Sequence, residues 1–159
     1  MNNTEQLAAL GKIMKTKVLN HEDIILLVFA GVLLMKHLHV PFSGLICTLI
    51  FSIIGIIYFF SAFAILEDPG ITGFDRFIYK LNAFGSAVAI MGILFTFQHW
   101  PNYLMMITIG LPVLVISLIY ILIRNNRRPE FELFDKWMIV RILLLIAISG
   151  AMIYGKFMK

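Results

Sequence analysis

Charge and cysteine are both scarce in this sequence. Asp, Glu, Lys and Arg make up 14% of its 159 residues, where a soluble domain carries about a quarter. The single cysteine, Cys47, cannot close an intramolecular disulfide, so a secreted disulfide scaffold is excluded. It sits in an apolar run and reads as a small core or lipid-facing residue. There are nine acidic residues, with none between Asp23 and Glu67 or between Lys80 and Glu130. No carboxylate is expected in mid-span, which argues against a carboxylate proton relay. The sequence has no Gly-rich phosphate loop, Cys-x-x-Cys, HExxH or G-x-S-x-G. Neither enzyme activity nor a cofactor is expected.

What the chain has in abundance is apolar surface. Hydrophobic residues make up 60% of it, and its mean hydropathy is +0.93. These values describe an all-α integral membrane protein. The net charge of +4 does not indicate nucleic acid, because nearly all Lys and Arg flank apolar runs, as anchors on anionic lipid do. A membrane-spanning helix needs about 20 apolar residues. The chain therefore has room for about five spans and no soluble catalytic domain.

Residues 1–20 are polar, with Leu7, Leu10, Met14 and Val18 at helical spacing. This segment is either an amphipathic surface helix or a frayed tail. Residues 21–66 form a first transmembrane hairpin. Its first run, Ile24 to Leu38, is short for a span unless residues 20–23 lie among headgroups. A signal peptide is disfavoured, because Glu22 and Asp23 precede the run and no A-x-A-like site follows before Pro41. Pro41 disfavours helix at the residue before it, so a turn is expected at His39 to Phe42. Residues 67–81 read as a polar loop. The next 43 residues, Leu81 to Ile123, contain no Asp, Glu, Lys or Arg, so a reversal must lie inside them. The only turn-like cluster there is His99-Trp100-Pro101-Asn102, which makes 82–123 a second hairpin. Pro112 is expected to kink its second helix. Residues 124–136 form a basic loop, and 137–159 hold a fifth helix and a short tail.

With the N-terminus in the cytoplasm, nine Lys and Arg fall on the cytoplasmic side and three opposite. This bias puts the C-terminus on the non-cytoplasmic side, and an inner-membrane location is expected. Arg124, Arg127 and Arg128 are expected to meet anionic lipid and fix orientation, and Arg141 to snorkel from the cytoplasmic end of the last span. A shift of 60 residues lays His39-Val40-Pro41 on His99-Trp100-Pro101. The two hairpins thus read as a parallel repeat, and Phe134-Asp135-Lys136-Trp137 echoes Phe74-Asp75-Arg76-Phe77. His39, Pro41, His99, Trp100 and Pro101 are expected to form the hairpin tips. His37, His39 and His99 could converge on a metal or haem. The stronger expectation is that histidines beside Pro turns bond to nearby backbone and that no metal is held. Lys36 either snorkels to the interface or contacts a partner. Gly85, Ser86, Gly92, Gly110, Ser117 and Gly150 allow close helix packing.

The second hairpin reads Gly92-Ile93-Leu94-Phe95-Thr96-Phe97-Gln98-His99-Trp100-Pro101, then Ile109-Gly110-Leu111 after seven more residues. This resembles the transmembrane hairpin of the GldL-like family, the membrane subunit of the gliding-motility and type IX secretion motor of Bacteroidota. That family's pattern is roughly G-A-L-F-K-I-x-H-W-P, seven residues, I-G-L. In the first hairpin Lys36 stands where the family has its lysine, and Ser61-Ala62-Phe63 matches the close of its second helix. The family's intramembrane glutamate is replaced by Leu114 and Ile54, and its long cytoplasmic C-terminal region has no counterpart here. The resemblance implies a non-enzymatic scaffold or accessory subunit that packs against other membrane-protein subunits or itself. It does not imply motor activity. A small channel or transporter for a neutral solute is the alternative.

Overall fold

A computed structural model describes residues 3–13, 19–64, 71–127 and 135–157. It contains α-helices α1 (Asn3–Ile13), α2 (Glu22–His37), α3 (Ser43–Ser61), α4 (Gly73–Phe97), α5 (Tyr103–Arg127) and α6 (Lys136–Phe157). A single 3-10 turn, Leu19–His21, leads into α2. No strand occurs among the described residues. Four helices, α3 to α6, are long and apolar enough to cross a membrane. The chain is a multi-pass helical membrane protein.

Five spans were expected and four meet that standard. The shortfall is α2, which has 16 residues and rises about 24 Å at 1.5 Å per residue. The hydrocarbon core is about 30 Å thick. Glu22 occupies the first position of α2 and is buried, which limits how far the apolar stretch extends.

A second difference lies in the segment expected as a loop over 67–81. Helix α4 already begins at Gly73. Thr72 caps it: the threonine hydroxyl accepts from the Asp75 backbone N–H at 3.2 Å, and the Asp75 carboxylate accepts from the Thr72 backbone N–H at 2.9 Å. This reciprocal pair satisfies two amides that would otherwise lack partners at a helix start.

Helix α4 is the hub. In its most apolar stretch 67% of residues are buried, against 28% for each of α3, α5 and α6. It packs on α3, α5 and α6; α2 packs on α3 and α6, and α1 on α3. Small residues make the α4–α5 seam close. A Cβ placed on Gly92 would lie 2.8 Å from Ile107 Cγ1, and one on Gly110 would lie 3.1 Å from the Ala89 backbone nitrogen. Without a hydrophobic drive between helices in lipid, such backbone approach supplies the dispersion contact. Helix α5 continues through Pro112, whose ring faces outward. In α1, Leu10 and Ile13 are exposed. The rest of the amphipathic stripe, from the Leu7 side chain to Met14 and Val18, lies outside the described residues.

The hairpin topology gathers the starts of α2, α4 and α6 and the ends of α3 and α5 at one end, here the polar end. The opposite end carries the two chain reversals and is the turn end.

Candidate functional site

At the polar end two buried carboxylates meet two buried guanidiniums. Glu22 and Arg141 are 3% and 2% exposed, and Arg141 Nη1 donates to Glu22 Oε1. The Tyr58 hydroxyl donates to the same oxygen at 3.2 Å. The Arg141 guanidinium also lies 4.3 Å from the centre of the Tyr58 ring, so one aromatic side chain serves both charges. This cluster joins α2, α3 and α6. Arg141 therefore does not snorkel: it is held inside the bundle because a buried carboxylate lies in reach. Such a pair costs desolvation on both sides, and removing either partner strands the other charge.

The second cluster joins α4 to α5. Asp75 is 2% exposed. Its Oδ1 accepts from Arg124 Nε at 2.7 Å and from the Tyr120 hydroxyl at 2.8 Å. Its Oδ2 accepts from the Thr72 backbone N–H and hydroxyl, both at 2.9 Å, and from Arg124 Nη2 at 3.5 Å. A single carboxylate thus caps its own helix and ties down the end of the next one. Arg124, expected to face lipid, is 6% exposed and committed to this carboxylate. Arg127 is exposed, and Arg128 lies outside the described residues. A recess of about 210 Å³ opens beside the pair, lined by Thr72, Asp75, Tyr120, Ile123, Arg124 and Arg127.

The turn end is built differently. His39 and His99 adopt left-handed conformations with φ of 54° and 55°. In each turn the histidine N–H bonds back three residues, to Lys36 O and Thr96 O, both at 3.2 Å. The next N–H reaches five residues back, Val40 to Met35 O at 3.2 Å and Trp100 to Phe95 O at 2.9 Å. This is a Schellman closure with histidine where glycine is usual. Histidine enters the left-handed region more readily than most side chains. Three residues later Phe42 and Asn102 repeat the match, with φ of 63° and 65°. The two tips, 60 residues apart in sequence, share one backbone solution.

The remaining expected residues also lie at or near this end. His37, His39, Pro41, His99, Trp100 and Pro101 are exposed, and Lys36 is half-buried in the last turn of α2. Trp100 packs edge-on against Phe95, ring centres 5.0 Å apart. Among the described residues no three His, Cys, Asp or Glu side chains gather where they could hold a metal ion.

Gln98 was not singled out from sequence. Its Nε2 donates to Gly44 O at 2.6 Å and Thr48 Oγ1 at 2.8 Å, pinning the second turn to the start of α3. One lipid-facing groove also emerges only in three dimensions. Of about 430 Å³, it lies over α4 between α3 and α5, with Gly55 and Ala87 in its lining and Phe59, Met91 and Met106 around them.

No family model, curated protein or solved structure matches this chain.

Proposed function

We propose that this protein is a non-enzymatic membrane scaffold or accessory subunit that packs against partner membrane helices through the groove over α4. The groove supports this reading best. Helices α3 and α5 flank α4, and between them Ile56, Phe59 and Met106 border a groove whose floor includes the small buried residues Gly55 and Ala87. Small residues are what a transmembrane helix needs for close approach. The two buried ion pairs keep the bundle fixed, as suits a platform. The matching turns support taking the hairpins as two copies of one unit, related to the GldL-like motor subunit but without its intramembrane glutamate. On that reading the protein resides in the inner membrane with its N-terminus in the cytoplasm, and Lys36 is the polar contact offered to a partner at the turn end.

Site-specific photo-crosslinking in the native membrane tests this. A crosslinker at Ile56, in the groove, should capture one partner polypeptide in fixed ratio, whereas one at Leu143, on the exposed face of α6, should not. Motor or secretion subunits as the captured species would tie the protein to gliding or secretion. Equal, sparse labelling at both positions would defeat the scaffold reading and favour the neutral-solute channel.

A further inference from the structure

Several side chains in the bundle interior are fully buried yet lack hydrogen-bond partners. They are Asn82 Oδ1 and Ser86 Oγ on α4, Ser117 Oγ on α5, and Ser149 Oγ with Arg141 Nε on α6. Asn82 is 1% exposed and the three serines 0%. An unsatisfied buried polar group costs about 1–3 kcal/mol, and lipid offers no remedy.

Helical hydroxyls normally avoid this cost by bonding to their own backbone one turn back. This protein does so elsewhere. Thr48 donates to Gly44 O and Thr96 to Gly92 O, both at 2.9 Å, and Ser61 donates to Tyr58 O at 2.7 Å. Ser86, Ser117 and Ser149 form no such bond. The three helices that carry them are packed together: α4 on α5, α5 on α6 and α4 on α6.

Register aligns the groups on α4 and α5. Asp75 meets Arg124, and Gly92 and Gly110 pack on Ile107 and Ala89. The same antiparallel register sets Ser117 beside Asn82, with Ser86 one turn further along α4. Ser149 continues the buried stripe of α6 through Ile142 and Leu145, and α6 packs on both α4 and α5. Asn82 and the three serines, unlike Arg141, are neutral and supply both donors and acceptors. None of the four is a carboxylate, so they do not match the charge of a metal cation. They match water, which bonds to two to four polar partners when buried.

We infer that Asn82, Ser86, Ser117 and Ser149 form an internal hydration site between α4, α5 and α6, holding ordered water inside the membrane-spanning part of the bundle. The site is separate from the lipid-facing groove and does not depend on a partner. Water here completes the hydrogen bonding that the helices leave open, and it gives an otherwise apolar core a polar centre at fixed depth.

Water-edited solid-state NMR of the whole protein in lipid bilayers tests this without any substitution. Magnetisation starting on water should reach the Ser86, Ser117, Ser149 and Asn82 side chains at short mixing times, together with exposed Arg127. The buried apolar side chains Ile107 and Leu145, both at most 1% exposed, should gain signal only later. Removing two hydroxyls, Ser86→Ala with Ser117→Ala, should abolish the early signal at Asn82 while the Arg127 signal stays. Serine and asparagine signals that rise no earlier than Ile107 would overturn the site. So would an Asn82 signal unchanged in the double variant.

Discussion

At one end of the bundle, five helix termini converge on two carboxylate–guanidinium pairs; at the other, two chain reversals are closed almost entirely by backbone geometry. Both ends must satisfy the last amides and carbonyls of their helices. The polar end caps α4 locally through Thr72 and Asp75, and is then joined by side chains from distant parts of the chain: Glu22 to Arg141 and Asp75 to Arg124. The turn end does so within a few residues, through left-handed His39 and His99. Long-range charge pairs can fail by losing a single atom group. Local turns lose only what one residue contributes. Charged tertiary contacts are therefore concentrated at the polar end, while the turns share one backbone form and differ in Gln98, which ties the second turn to Gly44 and Thr48.

The largest expected effect strikes that contrast directly. Arg141→Leu leaves Glu22 buried without its counter-charge and should cost about 3–5 kcal/mol, measured by denaturant unfolding in detergent. The paired change Glu22→Leu with Arg141→Leu should recover most of that loss. If the pair is as unstable as the single variant, the two charges are not one unit. Next comes Asp75→Ala, which loses a helix cap and a charge-assisted bond together. A drop of about 2–4 kcal/mol is expected, well beyond that of Thr72→Ala, which removes a cap hydroxyl for about 1 kcal/mol. Equal losses in Asp75→Ala and Thr72→Ala would mean that Arg124 contributes nothing.

The smallest effect belongs to the turn end and has the opposite sign. Phe42 holds a left-handed conformation that suits its counterpart Asn102 better. Phe42→Asn should raise stability by about 1 kcal/mol, read as an upward shift of the thermal midpoint. A loss instead would show that the Phe42 ring, 81% exposed, anchors the tip in lipid.

Much of this plan was legible in the residues. Apolar run lengths marked the helices, and the two His-x-Pro clusters marked where the chain reverses. The spacing of charges puts most basic residues on one side, and Arg124 and Arg141 do lie at one end of the bundle. Their partners could not be read, because pairing residues 49 and 119 positions apart is a property of packing, not of pattern. The early start of α4 left a readable sign in Thr72-Gly73-Phe74-Asp75, the Ser/Thr-x-x-acid form of a capping box. It was obscured by the charges at Arg76 and Lys80. The hydration site depends on which way each serine hydroxyl turns, and no spacing rule encodes that.

The central place of α4 bears on how the protein is made. Of the four helices long and apolar enough to cross a membrane it is the least apolar, and Asp75 near its start pairs with Arg124, 49 residues later in the chain. A helix so composed gains less from entering lipid than its neighbours do. Pairing with Arg124 compensates the Asp75 charge, so the second hairpin is complete as a unit only when α5 is present, with Asp75 and Arg124 as the clasp that closes it.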